Sequence, residues 1–114
     1  MYKTFISMTF KTIIIDCSGM SKEGLHLAMK ELLGFPEFYG MNWDAMYDCL
    51  SSMRLRGSGM SEITLTADEM LIIECKSLQE AEFDVGIFME IIEAVNAREL
   101  DAGNKSLILL NLIQ

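Results

Sequence analysis

The chain has 114 residues, which suits one domain, and 51% of them are hydrophobic, enough for a core at this size. Its formal net charge of −8 disfavours binding to nucleic acid or to an anionic membrane and points to a basic partner protein. The excess is local: residues 1–61 carry six acidic and six basic side chains, while residues 62–114 carry eleven and three.

In chain order, the first apolar run, Ile13-Ile14-Ile15, is too short for a signal core or a membrane span. Residues 1–10 are expected as a flexible or irregular extension. Residues 11–16 (KTIIID) predict a short strand, β-branched and bounded by Ser18-Gly19. Ser21 is a good N-cap for a helix over 22–33, with Leu25, Ala28, Met29, Leu32 and Leu33 at helical spacing. Gly34 and Pro36 end it. A second helical pattern covers 42–53 with Asn42 as cap, and 54–62 (RLRGSGMSE) predicts a surface loop. Residues 70–75 (MLIIEC) predict a second strand, 77–82 a helical turn, and 84–100 an amphipathic helix with Phe88, Ile91, Ile92 and Val95 on one side. A turn at 101–104 precedes a third strand over 106–113 (SLILLNLI), expected to be buried on both faces. Strands alternating with helices predict a single α/β domain over 1–114, with a small three-stranded parallel sheet packed with about four helices.

Cys17, Cys49 and Cys75 lie far apart, each in an apolar segment, with no Cys-x-x-Cys spacing. They are expected as buried free thiols in a reducing cytoplasm. His26 is the sole histidine and is expected at a surface or half-buried position, so neither a zinc site nor any cofactor is expected. Gly57-Ser58-Gly59 lacks the strand, later glycine and lysine of a phosphate loop. The ten methionines fall mostly at apolar helical positions and are expected in the core.

The 42–53 helix has two unlike sides. Met46, Cys49, Leu50 and Met53 form an apolar stripe, and Asp44, Tyr47, Asp48 and Ser51 lie opposite. Asp44 and Asp48 are one turn apart, so like charges face one another at a small cost to the helix. Spacing alone favours a solvated polar face; a surface that meets a cationic partner would explain why the cost is tolerated. Trp43, at the start of the helix, is expected to anchor the preceding loop by packing.

Residues 36–50, PEFYGMNWDAMYDCL, resemble the signature of the barstar family through Pro36-Glu37, Tyr39-Gly40, Asn42, Asp44-Ala45, and Asp48 with Leu50. The element order extends the likeness to roughly residues 10–113 in pattern. The resemblance implies an intracellular inhibitor that inserts this helix and its preceding loop into the active site of a small basic, barnase-like ribonuclease. It implies that Asp48 occupies a phosphate site, bonded by cationic side chains. It also implies partner contacts from Phe38, Tyr39, Asn42, Asp44, Tyr47, Ser51 and, on the late helix, Glu93. Phe38 stands where a tyrosine is usual, Tyr47 replaces a tryptophan and Ser51 a threonine. The 51–61 loop also differs, and these departures bear on which nuclease is recognised. The protein is expected to be monomeric when free.

Two other functions fit parts of the pattern. Asp44 and Asp48 could be paired catalytic acids, but the spacing gives them neither a cleft nor a substrate-binding group. The same fold could also serve as an immunity protein against a toxin that is not a ribonuclease.

Overall fold

A computed structural model describes residues 9–114. Strand β1 (Thr9–Asp16) leads to helix α1 (Lys22–Leu33) and helix α2 (Trp43–Ser51). A long connection reaches β2 (Glu69–Lys76), then a one-turn 3-10 helix (Leu78–Glu80), α3 (Val85–Asp101) and β3 (Ile108–Ile113). Among the described residues the helical elements are three α-helices and one 3-10 turn. Thr9 and Phe10 belong to β1, not to an irregular extension, and residues 1–8 of the expected extension lie outside the described residues.

The helix limits follow from local chemistry. Ser21 accepts a hydrogen bond from the Gly24 N–H at 3.0 Å and so satisfies one orphan donor at the start of α1. Gly34 closes α1 in the left-handed region (φ 68°), returning its N–H to Lys30. A Cβ there would also lie 2.5 Å from the Glu62 side chain, so glycine is required twice over. Asp84 caps α3 through the Ile87 N–H at 3.1 Å.

The three strands are parallel in the order β1-β2-β3, with Ile13, Ile73 and Leu110 in register. A sheet that grows always in one direction through right-handed crossovers receives its helices on one face. Burial agrees: Ile13, Ile15, Leu71, Ile73, Cys75 and Ile108 are buried, while the alternate residues Ile14 and Leu109 are 62% and 48% exposed. The expectation that β3 is buried on both faces therefore fails. β3 is an edge strand of a sheet covered on one side, and Leu109, Leu112 and Ile113 are exposed.

The core lies between that covered face and the helices. It takes Leu25, Met29 and Leu33 from α1, Met46, Cys49 and Leu50 from α2, and Phe88, Ile92 and Val95 from α3. Met29, Met46 and Met53 are core residues, as their spacing predicts, while Met89 is exposed.

All three cysteines are buried free thiols. Burial pushes the Cys49 thiol up to about 11, with Asp48 adding to the rise, and the Cys75 thiol up to about 12, with Cys17 adding to it. Only the thiolate is nucleophilic, so these groups are inert while the fold holds. A thiol-specific reagent at neutral pH should leave the native protein unlabelled and label all three cysteines after denaturation. Mass spectrometry that finds rapid native labelling would contradict this packing.

Candidate functional site: an acidic helix and its preceding loop

The loop before α2 is held by its own residues. The Tyr39 N–H bonds the Pro36 carbonyl at 2.9 Å and closes a turn. Phe38, at the tip of that turn, is 68% exposed. At Gly40 a Cβ would come 2.8 Å from the Asn42 side-chain nitrogen, so a side chain there would displace the cap. Asn42 donates to the Gly40 carbonyl at 3.2 Å and accepts from the Ala45 N–H at 2.8 Å. Both ends of its amide are thereby used to start the helix, which makes Asn42 a positioning group for the loop and α2.

Helix α2 separates its faces as the spacing predicts, except at Ser51, which is buried. Met46, Cys49, Leu50 and Met53 are at most 1% exposed. Asp44 and Asp48 are exposed and Tyr47 is half-buried between them. No cation lies within ion-pairing distance of either carboxylate among the described residues. Asp44, in the first turn, suits the positive end of the helix dipole. Asp48, in the last turn, faces the negative end, and that turn holds no basic residue. Asp48 therefore experiences both the dipole and the repulsion of Asp44, with no cation among the described residues paired to it.

The fold presents Phe38, Asp44 and Asp48 to solvent, with Tyr47 partly so. Glu93 is exposed on α3, a helix packed against α2. Tyr39 and Ser51 depart from the expected contact surface. Tyr39 is 6% exposed because its ring packs on Phe35, with centroids 4.9 Å apart, and its hydroxyl bonds His26. Ser51 is also 6% exposed, and its hydroxyl has no partner among the described residues. It is the last residue of α2 and follows the buried Leu50.

Two supporting groups were not legible in the residue pattern. His26 is 1% exposed, not at the surface, and its ring lies 5.1 Å from that of Trp43. Trp43 packs against it and anchors the loop, as expected. Arg54, expected in a surface loop, is instead buried just past α2 and bonds Glu99 and four backbone carbonyls.

Among the described residues no group of three or more His, Cys, Asp or Glu side chains is placed to hold a metal ion. No helix among them is long and apolar enough to cross a membrane. The depressions beside the 3-10 helix, beside Phe35 and beside His26 are not lined by Asp44, Tyr47 or Asp48. The acidic helix thus presents a ridge. Such a shape suits contact with another protein better than enclosure of a small ligand.

A protein-family model described as "Barstar (barnase inhibitor)" matches residues 10–110. A curated Bacillus subtilis (strain 168) protein, "Putative ribonuclease inhibitor YrdF", is 45% identical over 42 residues, which is 36% of this chain and 46% of that protein. The match therefore spans about half the length of that relative.

Proposed function

The chain belongs to the barstar family, and from that premise we propose that it inhibits a small basic ribonuclease by inserting α2 and its preceding loop into the enzyme's active site. Members of this family are inhibitors and not enzymes. The observation that carries the mode of action is the pair of exposed carboxylates, Asp44 and Asp48, on a firmly capped helix, with no cation paired to them among the described residues. Asp48 takes the place of an RNA phosphate and accepts charge-assisted hydrogen bonds from the enzyme's cationic groups. Asp44, Tyr47, Phe38 and Glu93 surround it as further contacts. Asn42 sets the loop, and Tyr39 and Ser51 support the surface from beneath. The free inhibitor is a monomer in a reducing cytoplasm, where its three thiols stay reduced.

The test is titration of the protein into barnase while RNA cleavage is followed. Activity should fall linearly to near zero at one equivalent. Undiminished cleavage at excess inhibitor, repeated with other basic ribonucleases, would reject the reading. Binding of a basic toxin that does not cleave RNA would favour the immunity-protein alternative.

The −8 net charge also predicts a kinetic signature. Opposite charge raises the on-rate and salt screens it, while the off-rate depends on short-range contacts. Stopped-flow association should slow by tenfold or more between about 20 mM and 500 mM salt, where the Debye length falls from well above 10 Å to a few ångströms. An on-rate that stays constant over that range would remove electrostatic steering from the account.

A further inference from the structure

We infer that His26 is a positioning residue for inhibition: its neutral imidazole clamps Tyr39 and Trp43, and with them the loop that aims Asp44 and Asp48, and adding a proton opens the clamp. The inference rests on the inhibitory reading for its biological meaning, but its structural half stands without a nuclease.

The clamp joins segments that are separate in sequence. His26 projects from the middle of α1. Its Nδ1 shares a hydrogen bond with the Tyr39 hydroxyl, and the two rings are 5.7 Å apart. On its other side lies Trp43, the first residue of α2. One imidazole therefore touches the loop just before Gly40 and the helix just after Asn42. The intervening backbone contains Met41 in the left-handed region (φ 55°), a conformation that costs a non-glycine residue about 1–3 kcal/mol unless its surroundings impose it. Holding both ends of this short span imposes it. Relaxing either end lets Met41 leave that region and re-aims the start of α2.

A buried imidazole can do this only while uncharged. Its Nε2 is buried and makes no hydrogen bond to the described residues. A protonated ring has a donor at both nitrogens and carries a full charge. The charged and titratable groups around it do not favour that charge. From α1, Lys22 adds repulsion and holds its ammonium 5.7 Å from the centre of the Trp43 ring. Glu23, also from α1, lines the adjoining depression with Lys22, Met41 and His26, but no carboxylate pairs with the imidazole among the described residues. The loop contributes Tyr39, whose phenol is pushed above its ordinary range by burial and then by Cys49. From α2 the facing group is Trp43, which is neutral. Desolvation first, and Lys22 second, lower the His26 pKa from its ordinary 6.5.

The sign follows. In the unfolded chain His26 takes up its proton near its ordinary value, and in the clamped state only at lower pH. The clamp's contribution is therefore fully present above about 6.5 and is lost as pH falls through the folded value. Imidazolium also quenches indole fluorescence, and Trp43 is the only tryptophan.

The experiment follows the parent and His26→Asn between about pH 7.5 and 4.5, a window that brackets ordinary histidine titration. An asparagine amide can reach the position of Nδ1, so it retains a bond to Tyr39 but cannot titrate. In the parent, Trp43 fluorescence should change in one step centred below 6.5. The amide signals of Gly40 to Asp44 should move in the same step, with far-UV circular dichroism unchanged. Barnase inhibition should weaken at least tenfold across the same step. His26→Asn should show no step, and its inhibition should vary with pH only as far as the nuclease's own titration requires. The His26 ring-proton signals of the parent supply the midpoint directly, so the result does not depend on the variant folding. A parent with no step, a step retained in His26→Asn, a midpoint unlike that of the ring protons, or loss of circular dichroism in the same step would each overturn the clamp. A protein that shows the step yet fails to inhibit ribonuclease at pH 7.5 would leave the clamp standing and reject the functional reading.

Discussion

Asp48→Ala removes most of the inhibition and leaves the melting temperature unchanged or slightly raised. The stability half follows from position. Asp48 is exposed, opposite the buried Met46, Cys49, Leu50 and Met53, so truncation opens no cavity. It also ends the i, i+4 repulsion with Asp44 and removes a negative charge from the last turn of α2, each a gain of a few tenths of a kcal/mol. The binding half follows from desolvation. A nuclease phosphate site gathers cationic groups, and covering it without a counter-charge leaves them buried and unpaired. Losing one partner of such a pair costs about 2–5 kcal/mol or more, or roughly 30- to 5,000-fold in affinity. That range includes complexes of this family, so its scale is borrowed from them. Met46→Ala should show the opposite pattern, because Met46 is fully buried and its truncation costs about 2–5 kcal/mol of stability through a cavity. Melting curves and inhibition titrations of both variants decide the matter. An Asp48→Ala protein that inhibits as well as the parent would show that Asp48 is not the phosphate mimic.

Arg54→Met lowers stability by about 3–5 kcal/mol, a large part of what a domain of this size has in total. A guanidinium has five N–H donors, and here all are used. Nε donates to Thr66, one terminal nitrogen to Glu99 and Lys105, the other to Glu69 and Ser106, at 2.6–3.1 Å. The Arg54 and Glu99 side chains are only 8% and 11% exposed. One side chain therefore ties the long connection after α2 to the start of β2, the end of α3 and the entry to β3. Removing it leaves the Glu99 carboxylate buried without a counter-charge and takes the donor from four carbonyls. Arg54→Lys should recover little, because an ammonium has three donors and no planar fork. Glu99→Gln should cost less than Arg54→Met, since a neutral amide oxygen still accepts from the guanidinium and the four bonds to backbone carbonyls remain, although the guanidinium loses its counter-charge. Chemical denaturation at neutral pH measures all three. An Arg54→Met loss under about 1 kcal/mol, the scale of an exposed ion pair, would show that solvent reaches this network freely. The folded fraction of Arg54→Met should still bind the nuclease, which separates this residue from Asp48.

Local chemistry was enough to read much of the fold. The limits of α1 follow from Ser21 and Gly34, whose caps act within one turn, and the expected 22–33 is the observed span. The two faces of α2 follow from a 3.6-residue period, and the three thiols are buried as their apolar neighbours imply. Asp44 and Asp48 could be placed on the outer face of α2, but their significance came from the resemblance of residues 36–50 to a family, because spacing alone favours a solvated surface. What the sequence could not determine is which distant surfaces meet. β3 is apolar apart from Asn111 and suggests burial on two sides, yet a strand's second face is covered only if a helix crosses there, and here both crossovers fall on the same side. Arg54 is 45 residues from Glu99 and 52 from Ser106, so no local pattern marks it as buried. His26 and Tyr39 are a histidine on a helix and a tyrosine in a loop until α1 and the loop pack together and turn both inward. Caps and periodicity act over a few residues, whereas the burial of a particular polar group is set by the partner that tertiary packing brings to it.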